Sequence, residues 1–288
     1  MIVILGASGT TGGALLASLS ASGVPSRALT RDPDRLRAHL DDAVGDLVET
    51  VPADAADTAS LRAAFTGARQ LFLAMANSPA QVALETRVVD TAADSGIEHI
   101  VKISAPAAEA DSPVAISRGH HAVEEHLRAS GLTHTLLRPY AFMQNLLRLA
   151  PGVAAQGTIL GAMGDARCNW VDCRDIGDVA AAVLTRADLA GGTYLLTGSE
   201  TLSYGGLART LTRLLSRPVR YVDLTPQQLR DNLIHHAHMP PWLAEHVVEI
   251  QQLAASRPES PTDTVTHILG REPRTLDAFL HEHLSCFR

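Results

Sequence analysis

Over the first half of the chain, apolar residues come in short blocks separated by helix-like stretches. Ile2-Val3-Ile4-Leu5 is a continuous apolar run, the pattern of a strand buried on both faces of a parallel sheet. A helix begins at Gly13-Ala14-Leu15-Leu16 and closes at Ser20-Ala21-Ser22-Gly23. The strand pattern recurs at Pro25–Thr30, Glu49–Ala53, Leu71–Ala76, His99–Ser104 and His134–Arg138. Helical stretches fall between these strands. One follows Asp32-Pro33, where Asp32 is placed to cap and Pro33 to open the first turn. Others start near Thr58, run from Asn77-Ser78-Pro79 to Ser95, and cover Ser117–Ser130, with Gly96 and Gly131 as stops. Strands alternating with helices at this spacing predict an α/β fold, a Rossmann-type doubly wound parallel sheet covered on both faces. The ligand crevice of such a sheet lies at the carboxyl ends of its strands.

Beyond Pro139 the alternation breaks down. Asp175–Leu184 forms another helix and Thr193–Leu196 another strand, expected to rejoin the sheet. The division that follows is a dinucleotide-binding domain over residues 1–150, to which 173–200 return. A smaller, mostly helical substrate-binding portion comprises 151–172 and 201–288. Within it, His235–Trp242 (HHAHMPPW) combines breakers with aromatics, as a pocket wall or lid does, although its histidines lack metal geometry and suit a surface helix end.

The junction after the first strand carries the strongest chemical signal. Gly6-Ala7-Ser8-Gly9-Thr10-Thr11-Gly12 has the spacing G-x-x-G-x-x-G, between a strand and a helix. Gly6 permits the sharp turn, Gly9 clears space for a pyrophosphate, and Gly12 allows close helix packing. The helix N-terminus adds free N–H groups and a positive dipole end. Gly6, Ser8, Gly9, Thr10, Thr11 and Gly12 are therefore phosphate-loop candidates. The second strand ends in Thr30-Arg31, where an NAD enzyme carries an acidic residue. A guanidinium there suits a 2′-phosphate, which favours NADP(H), although a solvated surface arginine is the alternative. At the third strand's end, Asp54 and Ala55 are placed to meet an adenine, or Asp54 or Asp57 only caps the helix from Thr58. Ala74, Met75 and Ala76 at the end of the fourth strand and Pro139 after the sixth complete the cofactor-binding candidates.

Composition narrows the class. The 288 residues are 46% hydrophobic, enough for a substantial core, and no segment has the apolar length of a membrane helix. A strand pattern starting at residue 2 leads to the expectation of no secretory leader. Cys168, Cys173 and Cys286 match no disulfide or metal spacing, which fits a reducing, cytoplasmic setting. The formal net charge of −7 and the absence of a basic run argue against a nucleic-acid partner. Lysine occurs once, at Lys102.

That single lysine excludes the Tyr-x-x-x-Lys arrangement by which short-chain reductases activate a tyrosine, because position 98 is Glu. Other groups near the crevice must then act. His120 falls in the apolar stripe of Ile116, Val123 and Leu127, so it faces the sheet while His121 turns toward solvent. It is a candidate for proton relay or ribose contact, with a hydrogen-bonded core histidine as the alternative. Ser104, at the end of the fifth strand, is placed to reach a nicotinamide or a substrate carbonyl. Lys102 shares its face, either as a buried functional charge or, more in keeping with a strand end, as a snorkelling side chain. Tyr140 follows the sixth strand and is the tyrosine placed to act as an acid. Tyr140, Asn145 and Trp242 are the substrate-contact candidates; no metal site is expected.

Taken together, GASGTTG, LTRDPDRL, HIVKISA, HHAVEEHLRASGLTHTLLRPYAFMQNLL, NWVDCRDIGDVAAAVL and GREPRTLDAFLHEH resemble the NmrA-like group of atypical short-chain dehydrogenases over nearly the whole chain. The resemblance implies an NADPH-binding fold with a small C-terminal portion forming the substrate pocket. It also implies one of two functions. The first is an NADPH-dependent reductase acting on a quinone, ketone or other conjugated carbonyl of a bulky, aromatic or quinone-like small molecule. The second is a non-catalytic NADP(H)-sensing regulator with a protein partner. In isoflavone-type members a catalytic lysine occupies the column of His120, whereas other members carry histidine there.

Overall fold

The computed structural model describes residues 1–38, 40 and 42–288. Its elements in chain order begin with β1 (Ile2–Leu5), α1 (Thr10–Ala21), β2 (Ser26–Thr30), α2 (Pro33–Arg37), α3 (Asp42–Gly45), β3 (Val48–Pro52) and α4 (Thr58–Phe65). Next come β4 (Gln70–Leu73), α5 (Gln81–Asp94), β5 (His99–Ile103), α6 (Ala115–Ala129) and β6 (Thr133–Pro139). After β7 (Ala141–Phe142) and a 3-10 segment (Met143–Leu149) follow α7 (Ala150–Gln156), β8 (Thr158–Gly161), β9 (Arg167–Val171), α8 (Cys173–Thr185) and β10 (Thr193–Leu196). The C-terminal part holds β11 (Thr201–Ser203), α9 (Tyr204–Leu215), β12 (Arg220–Asp223), α10 (Pro226–His235), α11 (Pro241–Ser256), α12 (Thr264–Leu269) and α13 (Leu276–Glu282).

Seven strands form one sheet in the order β10-β6-β5-β4-β1-β2-β3, and every neighbouring pair is parallel. The order reverses at β1, so the switch point lies between β1 and β4. Strand periodicity assigns the two faces. Ile2 and Ile4 point to a layer built from Leu15, Leu16 and Leu19 of α1, Ile176 and Val179 of α8, and Val265 and Ile268 of α12. Val3 and Leu5 point to the opposite layer, with Leu61 and Phe65 of α4, Val88 and Val89 of α5, and Leu127 of α6. Each of these fully buried large side chains contributes about 1.5–3 kcal/mol of transfer free energy.

Several boundaries differ from the sequence expectation by up to four residues; the fourth strand, for one, ends at Leu73 and not at Ala76, and two helix starts have a clear local cause. The first helix starts at Thr10, three residues earlier than its apolar pattern, because Gly9 takes the N-cap position. The helix expected from Asn77 starts at Gln81 instead. Ser78 precedes a proline, which disfavours the helical region, so 74–80 stays a loop beside the crevice. The portion beyond Pro139 holds two small sheets, β11-β9-β7 and β12-β8, in addition to helices. Its core joins Met143, Leu146, Trp170, Tyr204, Leu207 and Phe279. Among the described residues no helix is long and apolar enough to cross a membrane.

Candidate functional site

The glycine loop sits at the switch point. Gly6 has φ +95°, and a Cβ there would collide with the Ala74 carbonyl. A Cβ on Gly12 would collide with the Gly6 carbonyl and lie 2.9 Å from Ala7 Cα, so the first turn of α1 rests directly on the strand exit. Gly9 N–H donates to Gly6 O at 2.9 Å, and the first intrahelical bond of this turn runs from Gly13 N–H to Gly9 O at 2.8 Å. No side chain caps α1. The amides of Thr10, Thr11 and Gly12 precede that first bond, the arrangement that receives an anion. Ser8, Gly9 and Thr10 are exposed, whereas Thr11 is buried. Across the switch point, Ala74 N–H donates to Leu5 O at 3.1 Å, placing Ala74, Met75 and Ala76 opposite the loop.

At the end of β2, Arg31 is exposed and makes no ion pair or side-chain hydrogen bond among the described residues. Asp32 accepts from Arg35 N–H at 3.0 Å and caps α2. At the end of β3, the two readings of the carboxylates separate. Asp57 caps α4 by accepting from Ala59 N–H at 2.9 Å. Asp54 instead forms a turn, accepting from Ala56 N–H at 2.8 Å, with Ala55 half-buried beside it.

Beyond β5 lies a buried polar cluster that composition alone did not disclose. Lys102 is fully buried, not snorkelling: the strand end is covered, so its ammonium finds partners inside the protein. Its Nζ lies 2.6 Å from Glu85 Oε2 and donates to Ile103 O at 2.9 Å. It also stands 3.2 Å from His120 Nδ1. Gln81 Nε2 donates to Glu85 Oε1 at 3.1 Å. His120 faces inward at 7% exposure, and His121 lies half-buried on the next face. Burial first, then the Lys102 ammonium and His246, hold His120 well below its ordinary pKa. His246, from α11, is buried with its Nε2 3.3 Å from Asn77 Nδ2 and, among the described residues, no hydrogen-bond partner for its Nδ1. Burial pushes it down to about 4.

Ser104 is buried, and its hydroxyl donates to Glu124 Oε1 at 2.6 Å. Its one proton is thus engaged by Glu124, which leaves the hydroxyl oxygen as an acceptor. Glu124 also accepts from Arg138 (2.5 and 3.0 Å) and Arg128 (2.9 Å). Although burial opposes it, this set of donors holds the Glu124 carboxyl below its usual range. Glu85 and Glu124 both lie on apolar helix stripes, beside Val88–Val89 and Val123–Leu127. A carboxylate in such a stripe is the sequence signal that would have flagged them.

Tyr140 continues from Pro139, which is buried at the end of β6, and its N–H donates to Leu196 O at 3.0 Å. Burial, then the Glu259 carboxylate, raises its pKa, so it stays protonated through the neutral range. Glu259 follows α11, accepts from Asn169 N–H at 2.6 Å, and is itself raised by burial. Nothing in the sequence around Glu259 marked it. Asn145 is exposed on the 3-10 segment, and Trp242 is half-buried in the first turn of α11. His235, His236 and His238 are exposed at the end of α10 and after it. Among the described residues no group of three or more His, Cys, Asp or Glu could hold a metal.

The chain is 34% identical over 289 residues to a (4-alkanoyl-5-oxo-2,5-dihydrofuran-3-yl)methyl phosphate reductase of Streptomyces griseus, covering 100% of this chain and 99% of that protein. It is 32% identical over 290 residues to an NAD(P)H azoreductase of Xenophilus azovorans, with the same coverage. The crystal structure of an Escherichia coli NADPH-dependent quinone oxidoreductase complexed with NADPH superposes with a TM-score of 0.88 at 26% identity, over 99% of this chain and 100% of that one. The model of the NmrA-like family matches residues 1–280, and this chain belongs to that family.

Proposed function

We propose that this protein is an NADPH-dependent oxidoreductase that transfers hydride to a quinone, ketone or other conjugated carbonyl of a bulky small molecule. The observation that carries the reading is the uncapped N-terminus of α1 beside an exposed Arg31 at the end of β2. The first offers amides to a pyrophosphate, and the second offers a guanidinium to a 2′-phosphate. Three relatives support it, described as an NAD(P)H azoreductase, a (4-alkanoyl-5-oxo-2,5-dihydrofuran-3-yl)methyl phosphate reductase and an NADPH-dependent quinone oxidoreductase.

NADPH, when bound, supplies the hydride. The chain's own residues do the rest. Thr10, Thr11 and Gly12 bind phosphate through their amides, and Ala74–Ala76 close the opposite side of the loop. Tyr140, kept protonated, donates to the substrate oxygen as negative charge builds on it. Trp242 and Asn145 border the substrate. A quinone makes modest demands on such a donor, because its reduced form is a delocalised, weakly basic anion. That chemistry suits a chain without Tyr-x-x-x-Lys.

The test is NADPH oxidation followed by absorbance against quinones and aromatic ketones. Turnover with at least one quinone is expected, and Tyr140→Phe should lower it by about 10–100-fold with cofactor affinity unchanged. Tight NADPH binding with no oxidation across the panel would refute the enzyme and leave a nucleotide sensor.

A further inference from the structure

His120 has two ring nitrogens, and its environment distinguishes them. We propose that Lys102 is a positioning residue that locks His120 in one tautomer, Nδ1 as acceptor and Nε2–H as donor, so that His120 serves the crevice as a hydrogen-bond donor and not as a proton carrier.

The argument rests on what an ammonium is able to do. Lys102 is fully buried, and its Nζ has three protons and no lone pair. Three acceptors surround it: Ile103 O at 2.9 Å, Glu85 Oε2 at 2.6 Å and His120 Nδ1 at 3.2 Å. A partner of an ammonium must accept, so Nδ1 carries no proton. In a neutral ring the proton then sits on Nε2. Glu85 is fixed in turn by Gln81, so the chain Gln81–Glu85–Lys102–His120 joins α5, β5 and α6 without a loose member.

The charges around the ring keep it neutral. A cation faces it from β5, while His246 from α11, itself held neutral by burial down to about pH 4, brings no negative charge that would draw a second proton onto the ring. Among the described residues no carboxylate is hydrogen-bonded to the ring. Glu85, from α5, is engaged by the Lys102 ammonium, and Glu124, one turn along α6, by Ser104, Arg128 and Arg138. Any hydrogen bond from His120 to a substrate therefore runs outward from Nε2–H, polarising a carbonyl as a neutral donor does. The proton itself must come from another group. This consequence for catalysis rests on the reductase reading above; the tautomer does not.

The test begins with the whole protein labelled with 15N-histidine, its ring signals followed by long-range 1H–15N correlation from about pH 5.5 to 8.5. The His120 signals are identified by their loss in His120→Gln. The expected result is a single Nε2–H pattern that does not titrate. An Nδ1–H pattern, or an imidazolium pattern at the acid end, overturns the proposal. The double variant Lys102→Met/Glu85→Met removes both buried charges together. It should show a mixture of tautomers, about 10-fold lower turnover, and a pH dependence of rate that the wild type lacks. An unchanged tautomer in that variant overturns the role of Lys102. An Nε2–H wild-type ring in a protein that oxidises no NADPH supports the tautomer and refutes the reductase.

Discussion

Replacing Arg31 with alanine separates the two nicotinamide cofactors. The side chain is exposed and makes no ion pair or side-chain hydrogen bond among the described residues, so its removal breaks nothing in the protein. Stability should stay within about 0.5 kcal/mol of wild type, as for ordinary surface substitutions. Against a 2′-phosphate, a guanidinium forms charge-assisted hydrogen bonds worth about 1.5–3 kcal/mol. Exposure and counterion screening place Arg31 at the lower end, about 1.5–2 kcal/mol, which converts to about 10–30-fold weaker binding of NADPH. NADH has no 2′-phosphate and should lose less than about 2-fold, because only long-range attraction is removed. Isothermal titration of each cofactor, at low and high salt, measures both effects. The wild-type preference for NADPH should narrow as salt rises, and the variant should show little preference at either. Equal losses for the two cofactors, or a preference insensitive to salt, would refute the 2′-phosphate role.

Three further outcomes follow from the same structure. Gly6→Ala forces a methyl into the Ala74 carbonyl at a positive φ; it should cost about 2–4 kcal/mol in urea unfolding, and a near-neutral result would show the loop is not so tightly built. Glu124→Ala leaves Arg138 and Ser104 facing a void and should cost about 3–5 kcal/mol; Glu124→Gln should cost less because it keeps the shape and part of the hydrogen bonding. His246 is neutral in the folded protein down to about pH 4, while an unfolded histidine binds its proton near 6.5. Between these values the unfolded state holds the extra proton, so stability falls as pH drops through that window, by at most about 1.4 kcal/mol per pH unit for this one group. Denaturation at several pH values should show the fall and its reduction in His246→Leu; an identical slope in both proteins would remove His246 as its source.

What could be read from the sequence was whatever depends on neighbours along the chain. The strand-turn-helix junction at Met1–Leu16, the cap at Asp32 with Pro33, and the inward turn of His120 all follow from local backbone geometry and helical periodicity. Even the small errors were local. Helix starts shifted by a few residues at Thr10 and Gln81, where glycine at a cap and a residue before proline overruled the apolar pattern. Tertiary structure had to decide how charges from separate elements meet. Lys102, Glu85 and His120 lie on a strand and two helices, and they converge because α5 and α6 pack on one face of the sheet. The same holds for Ser104 with Glu124 and for Tyr140 with Glu259. A sequence shows that a lysine stands alone in composition. Only the fold shows that it is enclosed, paired, and placed against one nitrogen of a histidine, because burial and pairing depend on distances through space that the order of residues does not specify.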